Sequence, residues 1–192
     1  MAEHIDLTAD AMAEKDFLAL KEKLWHFMHT SIYPNEKLFH EQSEHIGLSG
    51  NEWTHAPILV ELKRKAKALG LWNMFLPVDS AAVASTNLGA GLTNRQYGEI
   101  CEILGTSVPA EFASQATNCT SPDTGNMEVL ARYGTIAQRQ KWLKPLLEGT
   151  IRSAYAMTEP GNDNGLGSSD ATNMSIKVTR DEATKEYVIN GS

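Results

Sequence analysis

The sequence predicts a mostly α protein with a C-terminal β segment, an α+β chain in which the two kinds of structure are segregated. Three observations predict it. Apolar residues recur at helical spacing from about Ala11 to Gly149. From Met174 the period drops to two, with Met174, Ile176 and Val178 alternating with Ser175, Lys177 and Thr179. Asn190-Gly191, a strong hairpin-turn signal, follows the short apolar run Tyr187-Val188-Ile189. The organisation expected is a helical domain over 1–150 and the first strands of an antiparallel β domain over 151–192.

The first helix is expected between Ala11 and His29, with Phe17, Leu20, Leu24, Phe27 and Met28 on its inner face. Pro34, in Tyr33-Pro34-Asn35, interrupts it by removing an N–H and restricting the residue before it. A charged continuation runs from Glu36 to His45. Pro57 suits the start of the next helix, which sets Leu59, Leu62, Ala66 and Leu69 inward and Lys63, Arg64, Lys65 and Lys67 mostly toward water. Gly70 can supply its left-handed C-terminal residue. The stretch 79–91 is small and polar and reads as a surface loop.

Thr93 or Asn94 can cap a helix with Tyr97, Ile100, Cys101 and Leu104 on its buried stripe. A further helix follows Pro109, with Phe112 and Ala116 inward. Met127, Leu130, Ala131 and Tyr133 then recur at helical spacing until Gly134. Thr135 and Gln138 make a capping-box pattern for a last helix that packs Trp142, Leu143, Leu146 and Leu147 and ends at Gly149. Two helices meeting at Gly134 form a tight antiparallel hairpin. Strands are expected at 152–158, around 174–179 and at 187–189, joined by a polar turn from Arg180 to Lys185. The third strand ends in a turn with no return strand, as though the chain were cut inside a sheet.

Composition narrows the function. With 192 residues, 42% of them hydrophobic and 21% charged, the chain can bury a real core. A net charge of −7 argues against a nucleic-acid or anionic-membrane surface. No apolar run approaches the length of a membrane span. Cys101 reads as a buried, reduced thiol, and neither it nor Cys119 belongs to a C-x-x-C pair, which fits a reducing intracellular compartment. Glu3, Asp6, Asp10 and Glu14 make the first residues too acidic for a mitochondrial transit peptide. A cytoplasmic or peroxisomal location is therefore favoured over a mitochondrial one, although Asn190-Gly191-Ser192 is not a peroxisomal address. The histidines stand without cysteines or carboxylates at ligand spacing, so no metal ligand is expected. Trp25, Trp53, Trp72 and Trp142 read as core or interface anchors. No G-x-S-x-G elbow supports a serine nucleophile.

One stretch organises the rest. Tyr155-Ala156-Met157-Thr158-Glu159-Pro160 leads into a Gly/Ser/Asn-rich loop that ends at Ser169-Asp170. A short apolar segment that breaks into such a loop offers backbone N–H groups and hydroxyls, where flat, polar-edged cofactors are held.

With Met157-Thr158-Glu159-Pro160 and Ser168-Ser169-Asp170-Ala171-Thr172-Asn173 in place, the chain resembles the acyl-CoA dehydrogenase family. The match covers nearly all of it. Ser121-Pro122-Asp123-Thr124-Gly125-Asn126-Met127-Glu128-Val129-Leu130 and Trp142-Leu143-Lys144-Pro145-Leu146-Leu147-Glu148-Gly149 are similar to one subgroup, which in animals is joined to an aminoglycoside-phosphotransferase-like kinase domain. No kinase segment is present here.

The resemblance implies FAD-dependent α,β-desaturation of acyl-CoA thioesters, with hydride passing to the flavin and the cofactor carrying the redox chemistry. It places flavin contacts at Tyr155, Ala156, Met157 and Thr158. It places at Ser169 the serine that lies between flavin and acyl-CoA. The loop 161–168 is longer than the family's usual spacer, so Ser168 and Ser169 both stand for that serine. No catalytic residue is assigned, because no Glu or Asp here matches the motif of the family's base, which belongs to a further C-terminal helical domain. The resemblance further implies an electron-transfer flavoprotein or other acceptor, and a homo-oligomer, dimer or tetramer, when the enzyme is complete. The alternative is a non-catalytic helical interaction module, or a truncated remnant of such an enzyme.

Overall fold

The computed structural model describes residues 12–48, 54–83, 89–159, 170, 172 and 174–191. It divides into two units, residues 1–153 and 154–192.

The first unit is helical. Helix α1 (Glu14–Phe27) buries Phe17, Leu20, Leu24 and Phe27, the stripe that the spacing predicts. It runs through a π-helical turn, Met28–Ile32, and a tight turn, Tyr33–Asn35, into α2 (Glu36–Leu48). Pro34 accounts for the widened turn, because a residue without an N–H cannot continue the i→i−4 ladder. The Asn35 side chain donates to the Ser31 carbonyl at 2.8 Å instead. A second π-helical turn, Arg139–Leu143, also stands two residues before a proline, Pro145.

Helix α3 (Pro57–Ala68) starts on Pro57 and is followed by Gly70 at φ 71°. Its buried face is wider than the sequence suggests, since Lys63 is buried with Ile58, Leu59, Leu62 and Ala66. Where a loop is expected, Val78–Val83 forms the short helix α4, and its Ser80 is fully buried. Helix α5 (Asn94–Leu104) is capped by Thr93, whose side chain accepts from the Gln96 N–H in a capping box. Its inner stripe is Gln96, Ile100, Ile103 and Leu104, and Cys101 is exposed. The buried face is thus rotated from the expected one, and about 100° of helix separates Ile100 from its neighbour Cys101. The buried thiol is Cys119, which burial pushes up to about 11.

Helix α6 (Glu111–Ala116) buries Phe112, Ala113 and Ala116, and the Phe39 and Phe112 rings stack at 4.2 Å. Helix α7 (Asp123–Tyr133) turns at Gly134 into α8 (Ile136–Gln138), which Thr135 and Gln138 cap as predicted, and the chain reaches α9 (Lys144–Glu148). Gly134 is required there: a Cβ would stand 2.5 Å from the Leu130 carbonyl oxygen. Met127, Ala131, Leu143, Leu146 and Leu147 join one core with α1, α3, α5 and α6. Tyr133 and Trp142, expected inward, are 80% and 46% exposed, because they lie on the outer side of the hairpin. Of the tryptophans, Trp72 is half-buried and Trp25 is 37% exposed, while Trp53 lies outside the described residues.

The second unit carries one antiparallel ribbon. Strand β1 (Lys177–Arg180) pairs with β2 (Tyr187–Asn190), with Val178 opposite Ile189 and Thr179 opposite Val188. The Asp181 carboxylate closes the turn by accepting from the Ala183 N–H at 2.8 Å. The expected strand over 152–158 does not form: the residues are extended, but no neighbouring strand hydrogen-bonds to them among the described residues. Val178, expected to be half-buried, is 60% exposed, because nothing among the described residues packs over the ribbon's faces.

Candidate functional site

Tyr155, Ala156, Met157 and Thr158 lie on one extended, exposed segment of the second unit. Tyr155 and Met157 present their side chains to solvent at 67% and 62% exposure. Among the described residues, no hydrogen bond engages the backbone N–H groups of these four or the Thr158 hydroxyl. The segment therefore offers free donors between apolar side chains. Ser168 and Ser169 lie outside the described residues.

The next residue is of the opposite kind. Glu159 is buried, and its carboxylate reaches the residues just before β1. Oε2 accepts from the Ser175 N–H at 2.9 Å and from Ser175 Oγ at 2.6 Å, and Oε1 accepts from the Ile176 N–H at 2.6 Å. The hydrogen bond from the Ser175 hydroxyl, then those from the two backbone N–H groups, hold this carboxyl below its ordinary value. The Glu of Thr-Glu-Pro is thus a fastening rather than a free acid. Sequence reasoning gave it no role. The available signal was Ser175 at the head of a strand, a donor with no partner of its own.

In the helical unit a second buried carboxylate collects donors. Asp123, 1% exposed, accepts from the Ser153 N–H at 2.8 Å and from Ser153 Oγ at 2.6 Å through Oδ1, and from Arg152 Nε through Oδ2. Asn126 Nδ2 donates to Ser153 Oγ at 2.9 Å. Lys63 and His55 feel the charges of Asp123 and Arg152. Burial, reinforced by Arg152, lowers Lys63 to about 8. Burial, reinforced by Lys63 and Arg152, lowers His55 from its ordinary value.

Residues 14–150 match the profile of a known domain, the N-terminal domain of acyl-CoA dehydrogenases. The chain belongs to the acyl-CoA dehydrogenase family. It is 45% identical over 172 residues to acyl-CoA dehydrogenase family member 10 from Mus musculus, a match covering 90% of this chain and 15% of the relative. It is 44% identical over 206 residues to the probable acyl-CoA dehydrogenase IBR3 from Arabidopsis thaliana, covering 98% of this chain and 23% of the relative. A solved structure from Mycobacterium abscessus, described as an acyl-CoA dehydrogenase, superposes with a TM-score of 0.73 at 39% identity, over 94% of this chain and 42% of that one. The chain thus spans less than a quarter of the length of these two curated relatives. The mostly helical fold with a small antiparallel sheet agrees with that neighbour, and the relatives agree with the subgroup to which the sequence points. Among the described residues, no helix is long and apolar enough to cross a membrane.

Proposed function

We propose that this chain carries part of the flavin and acyl-CoA site of a FAD-dependent acyl-CoA dehydrogenase. The observation that carries the reading is the 155–158 segment, where unengaged backbone N–H groups and the Thr158 hydroxyl alternate with exposed apolar side chains. Such a surface fits a flat ring with a polar edge: the donors meet the edge and the apolar groups cover the face. Thr158 and the nearby N–H groups would hold the edge of the isoalloxazine. Ser169, or Ser168, would lie toward the thioester. Bound FAD would accept the β hydrogen of the substrate as hydride. The chain's own part is to bind, orient and shield.

Two further proposals follow from the family. The complete enzyme is a homo-oligomer that passes electrons to an electron-transfer flavoprotein or another acceptor. The unpaired Cys101 and Cys119 fit a reducing intracellular compartment, cytoplasmic or peroxisomal.

The test is to purify the protein with any encoded continuation beyond Ser192 and record its visible flavin absorbance and its acyl-CoA-dependent reduction of a dye. Both are expected. A folded protein showing neither overturns the reading. A second reading, a non-catalytic module that binds a partner along the ribbon, draws on the exposure of Val178, Tyr187, Val188 and Ile189. A soluble, FAD-free product that pulls down a protein only while β2 is intact would favour it.

A further inference from the structure

Leu59 and Lys63 lie one turn apart on the buried face of α3. Side chains on a helix lean toward its N-terminus, so the Lys63 stem runs back over Leu59, toward the residues that open α3. His55 stands there, just before Ala56 and Pro57, and feels the charges of Lys63 and Arg152. Lys63 is 8% exposed, and among the described residues no hydrogen bond engages its ammonium. The nearby carboxylate, Asp123, is already bonded to Ser153 and Arg152. Two cations thus share one occupied carboxylate, and the Lys63 donors have no acceptor. A buried cation in that state costs stability, and an incoming anion would offset the cost.

His55 also lines a cavity of ≈ 420 Å³ between α2, the start of α3 and the start of α6. Phe39, Ile46, Leu59 and Pro109 give it an apolar floor. That floor is set without a ligand: Phe39 stacks on Phe112 at 4.2 Å, and the Ile58 N–H donates to the Gln42 side chain at 2.9 Å, tying α2 to α3. Ser43, Gln115 and His55 add polar points to the rim. An apolar hollow of roughly 300–1,000 Å³ with a few convergent polar groups is the usual form of a small-molecule site. We propose that this cavity binds a medium-chain carboxylate, its alkyl tail on Phe39, Ile46 and Leu59 and its head taking donors from His55 and Lys63. Charge complementarity selects the head, because Lys63 and Arg152 favour an anion and a neutral or cationic head leaves Lys63 without an acceptor. Glu111, on α6, also lines the cavity and directs the anion to the α3 side. All these residues belong to the helical unit, and the inference does not rest on the flavin reading.

The test titrates the full chain with octanoate, acetate, inorganic phosphate and octanol, followed by ¹⁵N NMR. Octanoate is expected to move the His55 and Gln115 resonances saturably. Acetate, phosphate and octanol, each lacking the tail or the charge, should bind more weakly by a factor of about ten or more. Lys63→Met is expected to weaken octanoate roughly tenfold, the loss of one charge-assisted hydrogen bond, and to leave octanol unchanged. His55→Ala, at an exposed residue, should also weaken octanoate and serves if Lys63→Met does not fold. The melting temperature gives a second reading: octanoate should raise that of the parent and not that of Lys63→Met. No saturable movement at His55 and Gln115 overturns the site. Octanol binding as tightly as octanoate overturns the anionic head. Acetate or phosphate binding as tightly overturns the apolar floor. Equal octanoate affinity in the parent and in Lys63→Met overturns the part given to Lys63.

Discussion

Asn118 donates its side-chain amide to Oδ1 of Asn73 at 2.7 Å, and both residues hold left-handed backbone, at φ 56° and 54°. The pair is buried against the end of α9. Asn118 also donates to the Leu146 carbonyl at 3.0 Å, and Asn73 donates to the Leu147 carbonyl at 3.0 Å. The Trp72 indole N–H reaches that same Leu147 carbonyl at 2.8 Å. The last carbonyls of a helix have no partner within it. Here side chains from two distant turns supply them, which locks the helical unit shut just ahead of Arg152 and Ser153.

Asn118→Ala therefore loses two buried hydrogen bonds and places a Cβ without polar compensation in the left-handed region. It is expected to destabilise the protein by about 3 kcal/mol. Asn118→Gly should cost about 1 kcal/mol less than Asn118→Ala, because glycine takes that backbone freely. Urea unfolding of the two variants separates the hydrogen bonds from the conformation. Equal stability of the two would remove the conformational part.

Gly149 closes the same corner at φ 69°, and a Cβ there would stand 2.6 Å from Cζ2 of Trp72. Gly149→Ala combines left-handed strain with overpacking and is expected to cost about 2–4 kcal/mol. Trp72 fluorescence should shift as the indole is pushed aside. A variant that melts with the parent would show that the corner yields.

Lys63 is a buried cation whose folded value, about 8, lies below its ordinary 10.5. Below pH 8 both folded and unfolded chains hold the proton, and the folded state bears the full burial cost. Between about 8 and 10.5 the folded chain releases the proton first, so this group's contribution to stability improves as pH rises. Lys63→Met is expected to raise the melting temperature at pH 7 by about 2–4 °C, the effect of roughly 1 kcal/mol in a chain of this size. The gain should shrink as the melts are repeated toward pH 10. A gain independent of pH would point to packing alone.

Glu159 behaves in the opposite sense. Its folded carboxyl is held below the ordinary 4.5 by Ser175 and Ile176, so its contribution is complete above that pH and is lost as pH falls through the folded value. The Ser175 and Ile176 amide resonances are expected to move on acidification with a midpoint below 4.5, and Glu159→Gln should abolish the movement. A midpoint at or above 4.5 would contradict the fastening.

Much of the helical unit is legible in the sequence because its signals are local. Phe17, Leu20, Leu24 and Phe27 lie a turn apart on one helix, Thr135 and Gln138 are three residues apart, and Pro57 and Gly70 bracket one element. The ribbon at Val178 and Ile189 is legible for the same reason. The candidate flavin segment, too, is visible as a motif, since Tyr155 to Pro160 is continuous in the chain. Cys101 and Ile103 show the limit: which of two adjacent apolar residues faces inward depends on where the neighbouring helices sit. So does the burial of Lys63, whose neighbours Asp123 and Arg152 come from far along the chain.

By itself, then, the sequence determined the helical block, the change of period after it, and the run from Met157 to Pro160 that, with Ser168 to Asn173, carries the resemblance to the family. The tertiary structure alone decided what the buried polar groups do. Asp123 finds Ser153 across 30 positions, Asn118 finds Asn73 across 45, and Glu159 finds Ser175 across 16. Helical and strand periodicity reports which face of an element turns away from water. A buried carboxylate or amide must instead be satisfied by whatever donor or acceptor the packed elements bring within hydrogen-bond reach, and no local pattern encodes that partner.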